Sequence, residues 1–385
     1  MRKVKKIRQL QKRPVLDFLF GADPFLSMVS LAMAVYGVVM IFSATRIFKT
    51  NQYVIIQSVA VILGYAAMLV VSHLRYKRFV KYAHWPLFFL SIALLVITLF
   101  IGTGDGNRSW IRFDFMPIGF QPAEFVKIFF ILTFAYHLGR VRDRRQRPLT
   151  VLFLLFHAGI IIGLIVLQGD LGTALVFVCL FLFMLFAAGC SVWYFLIMGG
   201  ATAVVSPFLW KYFLKPYQKE RILCGFNPQR DPLGYGYQAL CSQRAISGGG
   251  FWGQGYLQGT ISQNPVNSAL PARWTDMIFA VMGEELGFFG IMLYLLLLTA
   301  LVMRILFVAR KTRNSWGSLI CIGVCAVFIC QAMENIGMCL GMLPVIGLTL
   351  PFMSYGGSSV VTLFVLVGLV QCVERYHDTT YGEEF

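Results

Sequence analysis

A few polar residues in this 385-residue chain stand at spacings that suit chemistry on a phosphate-bearing substrate. In "QPAEFVKI", Glu124 and Lys127 lie three apart, on one face of any helix they share, so Lys127 would offer a compact cation to a phosphate with Glu124 to orient it. Asp170, heading "DLGTAL", can cap a helix or face a substrate. Asp276, in "WTDMIFAVMGEELGFFG", is a carboxylate suited to take a proton from a hydroxyl. Gly356 and Gly357 precede Ser358, and a Gly-rich turn into a helix start aims amides and the positive dipole end at an anion. Trp110, flanked by Arg108 and Arg112, and Arg221 in "KPYQKERI" add an aromatic face and further cations. A base with cations and amides around it is what transfer from a pyrophosphate requires. Each residue also has a structural reading: Glu124 and Lys127 as a buried pair, Asp170 and Asp276 as caps, the glycines as close-packing positions, Trp110 as an interfacial anchor.

The elements that must position these residues are membrane helices. Hydrophobic residues make up 58% of the chain and charged ones 13%, about half the charged share of a soluble domain. Apolar runs of about twenty residues recur, each long enough to cross a ~30 Å hydrocarbon core. A soluble globular fold is excluded, and an all-α polytopic membrane fold is predicted. Ten spans are expected: Pro24 to Thr45, Gln52 to Ser72, Tyr82 to Gly102, Gln121 to Gly139, Leu149 to Leu167, Asp170 to Gly189, Val192 to Phe213, Asp276 to Phe307, Ser315 to Met342 and Ser354 to Val373. They divide the chain into a basic tail (1–23), a membrane domain (24–373) with one large loop (214–275) between spans seven and eight, and a C-terminal tail (374–385).

The net charge of +16 is topogenic. With the N-terminus inside, the basic residues of the tail, of the 73–84 and 139–149 loops, of Arg304–Trp316 and Arg375 all fall on the cytoplasmic side, and the large loop is extracytoplasmic. Both termini are then cytoplasmic, and nucleic acid is not the expected partner. The opening "MRKVKKIRQLQKRP" has the charge of a signal n-region, but the apolar run behind it is long and lacks a small-residue cleavage site, so it reads as an uncleaved tail. The nine Cys show no CxxC and read as small core residues. Cys224 and Cys241, in the large loop, are left open between a disulfide and free thiols.

Sidedness carries the functional argument. Asp276 lies about 42 Å of helix from Arg304, more than a ~30 Å core, which puts it at the outer rim of span eight. Glu284 and Glu285 follow about 12 Å deeper, where at least one must be paired or protonated. Glu334 and Asn335 fall in the outer half of span nine. Polar residues thus collect at one depth near the outer headgroups, and the inner halves read as almost purely apolar. That arrangement suits an amphiphile with an anionic head, a lipid pyrophosphate. A transporter of the same lipid, using Glu284, Glu285 and Glu334 as gating acids, is the alternative.

"QPAEFVKI", "GDLGTAL", "DPLGYGYQ", "TDMIFAVMGEELGFFG" and "NIGMCLGMLPVIGLTLPFMSYGGSSVV" resemble the SEDS proteins of bacterial cell-wall synthesis, the family of RodA, FtsW and SpoVE. The resemblance runs through all ten spans, and "KPYQKERI" and "GYLQGT" look more like the RodA branch. It implies a peptidoglycan glycosyltransferase of the cytoplasmic membrane that polymerises the lipid-linked disaccharide lipid II at the outer face during elongation. It further implies an essential carboxylate at Asp276, a cavity lined by Lys127, Glu124, Asp170 and Trp110, and a class B penicillin-binding protein as partner. The chain departs from the family at Gly169, where a Pro is usual, and in Pro271–Met277, where the family reads "PExHTDF": Ala272 stands in place of the acid and Trp274 in place of the His, with Thr275 and Asp276 intact. No tightly bound cofactor is expected. Mg²⁺ or Mn²⁺ bridging phosphate and carboxylates would suit hard oxygen ligands, and no metal ligands can be named.

Overall fold

The computed structural model describes residues 19–103, 108–112, 119–212, 214–266 and 269–376. Residues 1–18 and 377–385, most of the two predicted tails, lie outside the described residues. The chain is an all-α polytopic membrane protein, with no strand among the described residues. Its helices are α1 (Pro24–Thr45), α2 (Gln52–Ser72), α3 (Tyr76–Ile101), α4 (Pro122–Arg140), α5 (Pro148–Leu167), α6 (Leu171–Ala187), α7 (Val192–Tyr212), α8 (Pro216–Phe226), α9 (Tyr237–Gly249), α10 (Ile278–Lys311), α11 (Ser315–Cys339) and α12 (Gly357–Arg375). Of the ten that occupy predicted spans, eight are long and apolar enough to cross a membrane. α6 is apolar but only 17 residues long, and α4 carries Glu124, Lys127 and Arg140 within its 19.

α11 is the axis of the bundle. It is buried along most of its length and packs against α10, α6, α4 and α12. Close approach between α2 and α12 is set by small residues: a Cβ at Gly368 would lie 2.7 Å from the Met68 carbonyl, and one at Gly64 2.7 Å from the Phe364 ring. At the membrane face remote from the large loop, Asp23 caps α1 through the amides of Phe25 and Leu26 and pairs with Arg304 at 2.7 Å. α7 stands at the periphery, most of its described residues exposed.

Three features differ from the sequence reading. α3 begins at Tyr76, six residues early, because Tyr76, Lys77 and Val80 are buried in the bundle and draw the basic segment into the helix. Loop 214–275, for which the sequence reading gave no regular element, contains two α-helices. α8 opens on Pro216 with the Lys215 amide held by Gln218 Oε1 at 2.9 Å, and α9 buries Ala239, Leu240, Cys241 and Ala245 against α10. Cys224 and Cys241 sit one on each of these helices, buried and as free thiols. Finally, α10 starts at Ile278 and is broken at Gly287 (φ 64°, ψ −157°), so Asp276 lies in the turn ahead of it and no straight helix joins Asp276 to Arg304.

The half of the bundle away from the large loop is also less apolar than its sequence suggests. His84, His137 and His157, from α3, α4 and α5, converge there, with His137 Nδ1 and His157 Nδ1 3.2 Å apart and the His84 ring 4.3 Å from that of Tyr136.

Candidate active site

A cavity of about 820 Å³ opens on the large-loop side of the bundle. Its walls come from segments far apart in sequence. Trp110 and Arg112 come from the α3–α4 connection, Gln121 and Glu124 from the start of α4, Asp170 from the start of α6, and Tyr217 and Arg221 from α8. Asp276 enters ahead of α10, Pro344–Thr349 follow α11, and Gly356 and Gly357 open α12. Seven of the nine predicted site residues therefore meet in one space: Trp110, Glu124, Asp170, Arg221, Asp276, Gly356 and Gly357. Lys127 and Ser358 do not line it and are buried behind it.

Asp276 is held by its backbone. The Asn335 side-chain amide donates to the carbonyls of Asp276 (2.9 Å) and Leu348 (2.6 Å), tying α11 to both sides of the cavity. The turn before it is fixed by Ser354 Oγ donating to the Thr275 carbonyl (2.6 Å) and the Tyr355 amide to the Trp274 carbonyl (2.9 Å). The carboxylate faces Gly347, where φ is +74° and an added Cβ would lie 3.5 Å from Asp276 Oδ2. Burial pushes the Asp276 carboxyl up to about 6, against the pull of the Arg221 guanidinium in the other direction. Arg221 is itself oriented by Nε donating to the Val345 carbonyl at 2.7 Å.

Around this centre the structural readings hold in part. Asp170 does cap α6, accepting from the Thr173 amide at 3.0 Å, while its second oxygen takes a hydrogen bond from Gln121 Nε2 at 3.1 Å. Lys127 donates to Glu124 at 2.7 Å and is 1% exposed, so it reaches the cavity through Glu124. The Gly356 amide is engaged by Gln57 Oε1 at 3.1 Å, and Gly356 supplies the space there. Arg112, noted beside Trp110 in the sequence, lines the cavity too, and Gln121 and the Pro344–Leu348 segment are lining residues that the sequence reading did not single out.

Glu284 and Glu285, fully buried, bind the large loop. Glu284 accepts from the amides of Ile261 and Ser262, each at 2.7 Å, and Glu285 from Ser43 Oγ, the Leu257 amide and Gln263 Nε2. Arg273 donates to the carbonyls of Ser262, Asn264 and Val266 from the same region, which fixes the loop just ahead of Trp274. No cluster of three or more His, Cys, Asp or Glu among the described residues is arranged to hold a metal ion.

The family model of the cell cycle proteins FtsW, RodA and SpoVE matches residues 24–379. The chain belongs to this family. It is 33% identical to the probable peptidoglycan glycosyltransferase FtsW of Trichlorobacter lovleyi over 90% of this chain and 92% of that one. It is 32% identical to the peptidoglycan glycosyltransferase MrdB of Escherichia coli K12 over 92% and 94%, and 33% to the stage V sporulation protein E of Bacillus subtilis over 92% and 97%. Among solved structures, a chain of a peptidoglycan synthase complex described as coordinating polymerization and crosslinking superposes with a TM-score of 0.80 at 31% identity, covering 93% of this chain and 99% of that one. The Rod shape determining protein RodA of Thermus thermophilus gives 0.68 at 26%, covering 93% and 98%. FtsW, MrdB and SpoVE relatives of this family stand at nearly equal identity, so these values do not separate its branches.

Proposed function

We propose that this chain is a peptidoglycan glycosyltransferase that polymerises lipid II from the outer leaflet of the bacterial cytoplasmic membrane. The observation that carries the reading is the cavity in which a half-buried carboxylate, Asp276, faces the guanidinium of Arg221 on the large-loop side of the bundle. In the reaction, an acceptor sugar hydroxyl attacks the anomeric carbon of the donor sugar, and the carbon–oxygen bond to the donor pyrophosphate breaks. The pyrophosphate leaves with the electron pair, and the hydroxyl proton passes to Asp276. Arg221 and Arg112, which line the cavity, balance the charge on the departing group. Lys127 supports Glu124 from behind. A Mg²⁺ or Mn²⁺ ion would bring charge against the pyrophosphate, taking its ligands mainly from phosphate oxygens.

The similarity to a chain from a synthase complex supports a crosslinking partner, which we take to be a class B penicillin-binding protein. "KPYQKERI" and "GYLQGT" favour a role in elongation and cell shape over division. Purified protein, alone and with that partner, should convert lipid II to polymer, and the Asp276→Asn variant should bind lipid II without making any. Movement of lipid II across liposomes without polymer would instead support the transporter. Depletion in cells should round rods; filaments with blocked septa would assign the chain to division.

A further inference from the structure

Joining two lipid-linked saccharides requires two pyrophosphates at headgroup level at once, and the cavity around Asp276 accounts for one. The attacking hydroxyl of an acceptor lies at the end of its saccharide remote from its own pyrophosphate. That pyrophosphate must therefore be anchored away from Asp276. A second cavity, of about 280 Å³, opens at the end of α1 and is lined by Phe42, Thr45, Arg46, Lys49, Thr50 and Asn51. Arg46 and Lys49 are exposed, and neither forms an ion pair with a carboxylate among the described residues. Glu285, tied to the same helix end through Ser43, has its oxygens engaged by Leu257, Ser262 and Gln263 as well. Lys49 sits in the left-handed region (φ 52°, ψ 27°), uncommon for a residue other than glycine, and Thr50 and Asn51 after it complete the lining of the cavity. Below Arg46, the lipid-facing side of α1 exposes Phe42, Val39 and Val35. A pair of free cations above an exposed apolar stripe is the chemistry of a lipid phosphate site.

A row of aromatic rings runs between the two cavities. The Trp274 ring lies 5.2 Å from that of Phe48, which immediately precedes Lys49, and 5.5 Å from that of Tyr53. Tyr53 in turn lies 5.3 Å from Tyr355, which lines the first cavity, and Trp274 is two residues ahead of Asp276. All four rings are half-buried and so keep exposed surface. Aromatic rings with exposed surface pack well against the C–H faces of sugars.

We propose that the Arg46/Lys49 cavity holds the pyrophosphate of the acceptor, whose saccharide lies along the Phe48, Trp274, Tyr53 and Tyr355 ridge with its terminal hydroxyl at Asp276. The bond changes are those given above. The donor occupies the first cavity, its pyrophosphate leaves from there, and the lengthened saccharide stays anchored at Arg46 and Lys49. This inference rests on the lipid II reading and deepens it.

The test uses the full chain in phosphatidylcholine nanodiscs, with the Asp276→Asn variant to stop turnover and lipid II as the probe, counted by native mass spectrometry. Asp276→Asn should bind two lipid II per chain, and Asp276→Asn combined with Arg46→Gln and Lys49→Gln should bind one. In the active background, Arg46→Gln with Lys49→Gln should raise the half-saturating lipid II concentration about tenfold or more without changing the melting temperature. Two equivalents persisting in the triple variant, or one in both together with unchanged kinetics, would overturn the second site and leave the proposed activity standing. No lipid II bound to Asp276→Asn at all would overturn the activity reading itself. Repeating the count with phosphatidylglycerol in the disc separates the sources of phosphate: phosphatidylglycerol in place of the second lipid II at concentrations that support polymerisation would overturn the acceptor assignment in favour of an ordinary phospholipid site.

Discussion

The side-chain amide of Asn335 donates to the backbone carbonyls of Asp276 and Leu348, at 2.9 and 2.6 Å. One buried side chain on the central helix therefore sets the distance between the carboxylate and the segment that faces it. Asn335→Asp keeps the shape but puts an acceptor against two acceptors. It should cost about 2 to 4 kcal/mol of stability, through loss of both hydrogen bonds and the repulsion of like-polarised oxygens, with only the weak Cys339 thiol left to the Asp276 carbonyl. Polymerisation should fall further than folded protein does, because the carboxylate loses its position. Parallel measurement of melting temperature and lipid II turnover per folded molecule checks this. A loss of turnover that merely tracks the folded fraction would argue against a positioning role.

Asp276, with its carboxyl raised by burial to about 6, predicts a pH dependence with a definite sign. A base must be ionised to accept a proton, so the rate should rise with pH through about 6 and level off above 7. Below 6 it should fall about tenfold per pH unit. Arg221 holds the value down, so Arg221→Gln should move the acid limb to higher pH. The pH profile of kcat/KM, measured at subsaturating lipid II, reads both, because that ratio follows the ionisation of the free enzyme. An acid limb unmoved by Arg221→Gln would detach the two groups.

Much of this could be read in the sequence, because a bilayer allows few solutions. Long apolar runs have to be helices, and an ionisable residue near a span end has to be paired, capped or functional. That logic found Glu124, Asp170 and Asp276. It could not see that Lys127 lies behind Glu124, since a three-residue spacing shows that two side chains share a face and says nothing of which one a cavity reaches. His84, His137 and His157 were missed for a related reason: each stands alone in its own helix, and only packing of α3, α4 and α5 brings them together. α8 and α9 escaped because their apolar stripes are short: α8 opens on a polar and charged stretch, and α9 is rich in Gly, Ser and Gln.

Lys127 and Glu124 form a buried ion pair at 2.7 Å, and removing one partner strands the other. Lys127→Met should therefore cost about 3 to 5 kcal/mol, and adding Glu124→Leu should recover much of it. A double-mutant cycle in thermal or denaturant unfolding measures the coupling. If the two losses simply add, the pair does not act as a unit.

At Gly287 the backbone turns out of the helix (φ 64°, ψ −157°), in a region that only glycine occupies readily. Breaking a helix inside a membrane protein frees carbonyls and amides that no water can satisfy. Here the large loop satisfies them in both directions. The amides of Gln254 and Gly255 donate to the carbonyls of Glu284 and Glu285, at 2.9 and 3.0 Å, and those of Phe288 and Phe289 donate to the carbonyls of Gly250 and Phe251, at 3.0 and 3.4 Å. The Glu284 and Glu285 side chains hold the next stretch of the same loop. A Cβ at Gly287 would run into the Gly253 amide and the Phe251 carbonyl as well as straining its own backbone. Gly287→Ala should therefore destabilise the protein by about 3 kcal/mol or more and release the segment from Gly250 to Gln263. Limited proteolysis from the loop side should cut there in the variant and not in the wild type. Gly159→Ala, where an added Cβ meets nothing within 4 Å, should leave the cleavage pattern and the melting temperature unchanged.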